Sequence, residues 1–567
     1  MSMKFVSPTC RQTAHQAMGA ELLEDVLALQ NQELGLQLSL SFDCKSWVNL
    51  NEDTSLPWSG LIERFRIRLV ADGLDARVSF EGDVEDDDGQ KKKDRILHQS
   101  AGFLPKGEHF FWIDVKGATA GKYLLTAQLL QRKGYEEEEL VDSCSLLVEI
   151  AEFDLDDLKD KSQQESFFLD LWQHPSSLAR YYQLDLWSDE HFRLIETFME
   201  ALAEAGQKVC DLIISDYSWA GQDCYHVLDN PSSLFEYNIV GLSRQSGQLQ
   251  LDFKAMDRYL SLCERLGMAE EINLFGILGN WDGRSFGKPI EDYLDPIRLQ
   301  VYDLDKGHYN FVTSKAELKE YLRQVFAHLQ ELGLWDRVKV IADEPNNPEI
   351  FATFEAFLTS CSDQAIVFKH ACLHGEFLEN YEGNFDSNSV ISSVLIERMG
   401  QEDSAIFKHR KEMTWYNCCF PQNLNVFIRS HLMESYLIGY FTYAFEVKGF
   451  LRWNYCLWTE DPNKDITYKS YKWAAGDMFF VYPARDGRPE FSLRFKNMKM
   501  GIEDWQLLKA VEAKKGRAYV LTLLKPLIGD ADQMTYDEKE DRINFTYNED
   551  YKAVTQLKRA CLDILRR

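Results

Sequence analysis

From about residue 166 onward one pattern recurs, and it restricts the fold more than any other feature. A short apolar segment is followed by a long one with apolar residues at helical spacing. The short segments are "SFFLDLW" (166–172), "KVCDLIIS" (208–215), "EINLFGIL" (271–278), "RVKVIADEP" (337–345), "AIVFKHA" (365–371), "SVISSVL" (389–395), "EMTWYNCC" (412–419) and "GFLRWNYCLW" (449–458). Near-continuous apolar runs that alternate with helices predict strands buried on both faces of a parallel sheet. The intervening helices carry their own signals, as in Ser188 capping "DEHFRLIETFMEALAEAGQ" with Gly206 closing it. Eight strands over about 340 residues predict a (β/α)8 TIM barrel. A doubly wound sheet is the competitor, but no G-x-G-x-x-G follows the first strand.

The front of the chain has a different texture. "LGLQLSLSFDC", "RFRIRLVADG", "HFFWIDVKG", "GKYLLTAQLLQ" and "SCSLLVEIAEF" read as strands, the first two alternating at period two, and predict an N-terminal β-sandwich. The charge runs "GDVEDDDGQKKKDR" and "RKGYEEEELVD" read as exposed hairpin loops, and "FDLDDLKDKSQQE" as a linker. The expected division is a sandwich over 1–152, the catalytic barrel over 153–514, and a helical C-terminal extension packed on the barrel over 515–567.

Charge and cysteine usage exclude several functions. A net charge of −29 lacks the clustered cations that nucleic acid requires. The chain has no run of about 18 apolar residues to span a membrane, and its start lacks a signal peptide's apolar stretch. The 12 cysteines include the adjacent pair Cys418–Cys419 but no C-x-x-C, which argues for reduced thiols and against zinc. The expectation is a cytoplasmic protein with no metal, no cofactor and no membrane partner; a homodimer is compatible with it.

In a barrel of this kind the active site lies where the strands end. Those ends carry Trp172 and His174, Asp216, Tyr217 and Trp219, then Asn280, Trp281 and Asp282. Asp343 and Glu344, His370, then Trp415, Tyr416 and Asn417, and Trp453, Asn454, Tyr455 and Trp458 complete the set. Aromatic faces with carboxylates and few cations suit a sugar, not a phosphate. The pair Asp343–Glu344 narrows the chemistry. Neighbours on a strand point to opposite faces, so they cannot easily flank one glycosidic bond as acid and nucleophile, about 5 Å apart. At a frayed strand end they fit substrate-assisted hydrolysis instead, in which the sugar's own 2-acetamido oxygen attacks the anomeric carbon. Pro345 should hold Glu344 extended. "DEPN" also reads more simply as the N-cap region of the helix that follows.

Several motifs resemble glycoside hydrolase family 123, the β-N-acetylgalactosaminidases. They are "DEP" after an apolar strand, the Gly-Phe-Leu-x-Trp of "KGFLRWNYCLWTEDP", and the Gly-Asp-x-x-x-x-Tyr-Pro, Ser-x-Arg and Gly-Ile-Glu-Asp of "GDMFFVYPARDGRPEFSLRFKNMKMGIEDW". "LWQHPSSLARYY", "LAEAGQKV" and "LPKGEHFFWIDV" follow the same group. The resemblance implies retaining exo-hydrolysis of a terminal β-linked N-acetylgalactosamine on an oligosaccharide or glycoconjugate, through an oxazoline. Asp343 would polarise the acetamide and Glu344 would be the acid/base. Tyr416, or second Tyr455, would bind the acetamide oxygen. Trp453, Trp415 and Trp281 would wall the sugar, and His370 is a further candidate contact. Alternatives are a β-N-acetylglucosaminidase or other 2-acetamido-hexosidase, and a non-catalytic carbohydrate-binding protein.

Overall fold

The computed structural model describes residues 3–12, 17–18, 21–51, 63–133, 136–161, 166–218, 235–279, 299–345, 347–466 and 473–567. The front domain is a sandwich of two sheets. One has five strands, in the order Met3–Val6, Glu33–Phe42, Gly107–Lys116, Asp75–Glu85, Lys91–Leu97. The other has six, from Ala101–Leu104 to Asp25–Gln30. Leu34, Leu36, Leu38 and Leu40 alternate into the shared core, as a half-buried strand requires. Gln37 and Ser39, on the other face of that strand, are buried as well. That face meets the barrel side of the molecule: Gly35 N–H lies 3.1 Å from Met500 Sδ. The segment expected to be a linker starts at the end of the strand Glu139–Asp154 and continues as a helix, Leu155–Lys161.

Eight parallel strands form the nearly closed barrel: β1 (Phe168–Leu171), β2 (Val209–Ile213), β3 (Glu271–Gly279), β4 (Val338–Asp343), β5 (Phe368–Cys372), β6 (Ser389–Ile391), β7 (Thr414–Tyr416) and β8 (Gly449–Arg452). They pair in sequence from β2 round to β8, and β8 pairs with β1. Between β1 and β2 the ladder is a single bridge, Leu169 to Gln207. Side-chain amides supply the missing rungs: Gln207 Oε1 accepts from Leu171 N–H at 2.8 Å, and Gln173 Oε1 from Asp211 N–H at 2.9 Å. Segments after β2 (Gly241–Gln245, Gln248–Asp252) and after β3 (Gln300–Asp303, His308–Phe311) meet in a small sheet beyond the barrel.

The helix Leu493–Lys515 begins at Ser492, whose side chain accepts from Phe495 N–H, and is buried around most of its circumference. Such a helix is an internal strut. Asp504 on it accepts from Tyr436 and Tyr440 at 2.7 and 2.8 Å, from Gln32 of the sandwich at 3.1 Å, and pairs with Lys558 at 2.8 Å. Lys558 belongs to the last helix, Tyr551–Arg566, so one carboxylate ties together sandwich, barrel helices and C-terminal extension. Among the described residues no helix is long and apolar enough to cross a membrane.

Barrel closure depends on a glycine. A Cβ on Gly449 would meet the carbonyl oxygen of Phe168 at 1.8 Å, where β8 joins β1. Backbone cannot step aside as a flexible side chain can, so Gly449→Ala is expected to cost about 3 kcal/mol. Denaturant unfolding checks this, and an unchanged midpoint would show that closure tolerates a side chain there.

Candidate active site

The strand β4 delivers the acid pair to the barrel mouth. Lys339 on that strand faces the interior, where its ammonium pairs with Glu271 of β3 at 2.8 Å and with Asp386 at 2.9 Å. Alternation puts Ile341 and Asp343 on the same inward face. It would turn Glu344 outward, but the backbone changes there. Glu344 has φ of +50°, in the left-handed region, where a non-glycine residue is strained by about 1–3 kcal/mol. The extended conformation expected from Pro345 is therefore not adopted. Glu344 N–H still donates to the Ala371 carbonyl of β5 at 2.8 Å, so the turn occurs at the last rung of the sheet.

This turn lets Glu344 meet Tyr416, whose hydroxyl donates to Glu344 Oε1 at 3.0 Å. Tyr416 points inward from β7 because Trp415 points out: the Trp415 indole N–H donates to Thr442 Oγ1 at 2.8 Å and its ring packs on Phe445 and Phe450. Two adjacent carboxylates and one phenol thus share one side of the mouth. Burial raises the Glu344 carboxyl and the Tyr416 hydrogen bond partly opposes it, which leaves it at about 7. An acid that titrates near neutrality can give a proton and later take one back. Burial, then the Glu344 charge, raises the Tyr416 hydroxyl, which keeps it a donor.

Below the mouth the barrel interior is an ion cluster. Lys369 of β5 lies 2.5 Å from both Asp170 of β1 and Glu271 of β3, fully enclosed. Burial opposes its charge, but the two carboxylates outweigh burial and hold it protonated. Burial and then the nearby Asp170 charge push Asp211 far up.

The remaining sequence-based candidates divide. Trp453 follows β8, the strand beside that of Tyr416, is partly exposed, and donates its indole N–H to Asp477 Oδ1 at 3.0 Å. Trp415 is fully buried toward the helices, so it does not face the space that Tyr416 faces. Tyr455 is turned away too, its hydroxyl donating to the Phe198 carbonyl at 3.0 Å. His370 sits on the outward face of β5 among Phe351, Phe377 and Tyr381, with centroids 4.6–5.1 Å away, and burial lowers it to about 3. These three side chains are packing groups in this structure. Trp281 lies outside the described residues. Asp477, the acid of the Gly-Asp motif, joins the site through Trp453. It is fully buried and accepts from Arg452 Nη2 at 2.6 Å as well as from Trp453. Cys418 also borders the site: its thiol, raised first by Cys419 and by burial, feels the charges of both Glu344 and Asp477. Among the described residues no group of three or more His, Cys, Asp or Glu is placed to hold a metal ion.

A parallel barrel whose mouth presents a near-neutral carboxyl, a neighbouring carboxylate and a phenol has the parts of a glycosidase. The comparisons agree with that class. The chain belongs to glycoside hydrolase family 123, whose catalytic-domain profile matches residues 172–511. The structure resembles that of a family 123 glycoside hydrolase from Clostridium perfringens, with a TM-score of 0.71 at 16% identity, over 100% of this chain and 98% of that one. A Bifidobacterium dentium β-glucuronidase covers 89% of this chain and 66% of its own at 10% identity, with a TM-score of only 0.30. Comparison with curated proteins gives no match.

The Tyr416 hydrogen bond stabilises the ionised form of Glu344, so losing it raises the acid's pKa. If Glu344 must be protonated to act, activity falls as pH rises through about 7. Tyr416→Phe is then expected to move that alkaline limb of kcat/KM upward by about one pH unit. An unmoved limb would separate the tyrosine from the acid.

Proposed function

We propose that this protein is a retaining exo-glycosidase that releases terminal β-linked N-acetylgalactosamine from an oligosaccharide or glycoconjugate by substrate-assisted catalysis. The observation that carries the reading is the turn at Glu344. It turns Glu344 to Tyr416, which also feels the Asp343 charge, so the two carboxylates are too close in the chain for the usual arrangement in which acid and nucleophile flank the bond.

The steps follow from the residues. Protonated Glu344 gives its proton to the glycosidic oxygen as the bond to C1 breaks. The acetamide oxygen of the substrate attacks C1 and closes an oxazolinium ring that keeps its N–H. Asp343 accepts the acetamide N–H and offsets the positive charge that develops on the ring. Tyr416, now bonded to Glu344, turns its hydroxyl to the acetamide oxygen and directs it at C1. Glu344, now ionised, takes a proton from water; that water adds to C1, and the oxazolinium ring opens with net retention. Trp453 offers its face to the sugar's C–H groups. Family membership supports the galacto configuration, and the Clostridium perfringens relative, described in connection with glycolipid glycan hydrolysis, supports a glycoconjugate substrate.

Aryl β-glycosides of N-acetylgalactosamine, N-acetylglucosamine, galactose and glucose test this. Turnover is expected for the acetamido sugars, the galacto epimer first, and a thiazoline mimic of the oxazoline should inhibit strongly. Glu344→Gln should lower kcat on a poor leaving group by about 10²–10⁴, and Asp343→Asn by about 10²–10³. Preference for the gluco epimer would replace the substrate. Equal turnover of sugars lacking the acetamide would remove the mechanism.

A further inference from the structure

The acidic run at residues 83–94 forms the hairpin that its charge pattern predicts, exposed at most of its turn but buried at Asp86 and Asp94. The strands Asp75–Glu85 and Lys91–Leu97 pair as a hairpin with its turn at 86–90, and this hairpin is driven against the barrel mouth. At its tip, Asp87 Oδ1 accepts from the backbone N–H of Ala475 at 2.9 Å, and Oδ2 accepts from Arg429 at 2.7 Å. On its return strand, Asp94 is fully enclosed. It accepts from Arg494 Nε and Nη2 at 3.0–3.1 Å, from Tyr482 at 2.7 Å and from Arg11 at 3.3 Å. Arg494 spends its other donors on three carbonyls: Gly476 at 2.8 Å, Phe479 at 3.0 Å and Val426 at 3.1 Å. The sandwich therefore grips residues 475 and 476 directly and through Arg494.

The next residue is Asp477, fully buried against Trp453 and Arg452. Its carboxylate holds the Trp453 indole and the Arg452 guanidinium. Arg452 in turn donates to the Asn417 carbonyl at 2.9 Å and to Asn425 at 2.7 Å. Asn417 follows Tyr416, which holds Glu344. Every link is a charge-assisted or backbone hydrogen bond, and most are sealed from water. Charge-assisted bonds are the strong ones, and a buried pair that loses one partner leaves an uncompensated charge.

We propose that the β-sandwich is a positioning element of the active site: its 86–94 hairpin holds residues 475–477, which set the Trp453 wall and the chain leaving Tyr416. The sandwich then completes the catalytic mouth and is not a separate sugar-binding module. This rests on the reading that Trp453 walls the sugar.

Asp87 is the place to test it, because the residue is 38% exposed and its truncation should leave the fold intact. Kinetics of the full-length protein are measured on whichever aryl glycoside the wild type turns over fastest. Asp87→Ala is expected to raise KM about three- to tenfold, the worth of one backbone hydrogen bond, with kcat changed less and an unchanged thermal midpoint. Asp87→Asn keeps an oxygen for the Ala475 N–H and should return KM to within about twofold of wild type. An unchanged KM in Asp87→Ala overturns the proposal. Equal impairment in both variants also overturns it, since the Arg429 ion pair would then carry the effect. Glu344→Gln on an aryl glycoside with a poor leaving group separates the two readings. If it abolishes turnover while Asp87→Ala does nothing, the acid pair stands and only the brace is removed.

Discussion

The site depends on one backbone constraint. Consecutive residues on a strand face opposite ways, and a barrel mouth that needs two adjacent carboxylates on one side must break that rule at the second. The break is the left-handed conformation of Glu344. It is strained, so something has to hold it. The Ala371 carbonyl fixes the N–H, and the Tyr416 hydroxyl fixes the carboxyl. Strain of this kind persists only where its surroundings over-determine it. Here they also place the acid in a partly desolvated spot that moves its titration to about 7.

The surroundings are held by buried ion pairs. Asp94 with Arg494, Asp477 with Arg452, and Lys369 between Asp170 and Glu271 are pairs in which both side chains are nearly or fully enclosed. Desolvation offsets much of the attraction in such pairs, while removal of one partner strands a charge. Their value lies in register. Asp94 with Arg494 and Asp170 with Lys369 join elements 400 and 199 residues apart in sequence, and Asp477 with Arg452 fixes the chain that leaves β8. The Gly-Asp, Tyr-Pro, Ser-x-Arg and Gly-Ile-Glu-Asp motifs acquire a common physical meaning from this. Asp477, Tyr482, Arg494 and Asp504 are the polar hubs of these links.

Much of this was legible in the sequence. The eight strands, their order and the acid pair at the end of the fourth follow from apolar runs and helical spacing. Which face of a strand looks inward did not follow, because that depends on partners the pattern does not name. Trp415 is claimed by Thr442 and Phe445 of a helix, and His370 by Phe351 and Phe377. Alternation alone warns that Trp415 and Tyr416 cannot both face the sugar. Tyr455 lies beyond its strand, where period two no longer applies. The run "VEDDDGQKKKD" has the composition of a solvated loop, and only the arginines and backbone N–H groups opposite it turn it into a clamp.

The central claim is that the substrate supplies its own nucleophile, and fluorination of its acetamide addresses that most directly. Mono-, di- and trifluoroacetamido aryl glycosides leave the sugar ring and leaving group unchanged while draining electron density from the amide oxygen. If that oxygen attacks C1, kcat must fall steeply with each fluorine. A kcat that stays level across the series would mean that a group of the protein, or water, attacks instead, and the mechanism built on Asp343 and Glu344 would be wrong.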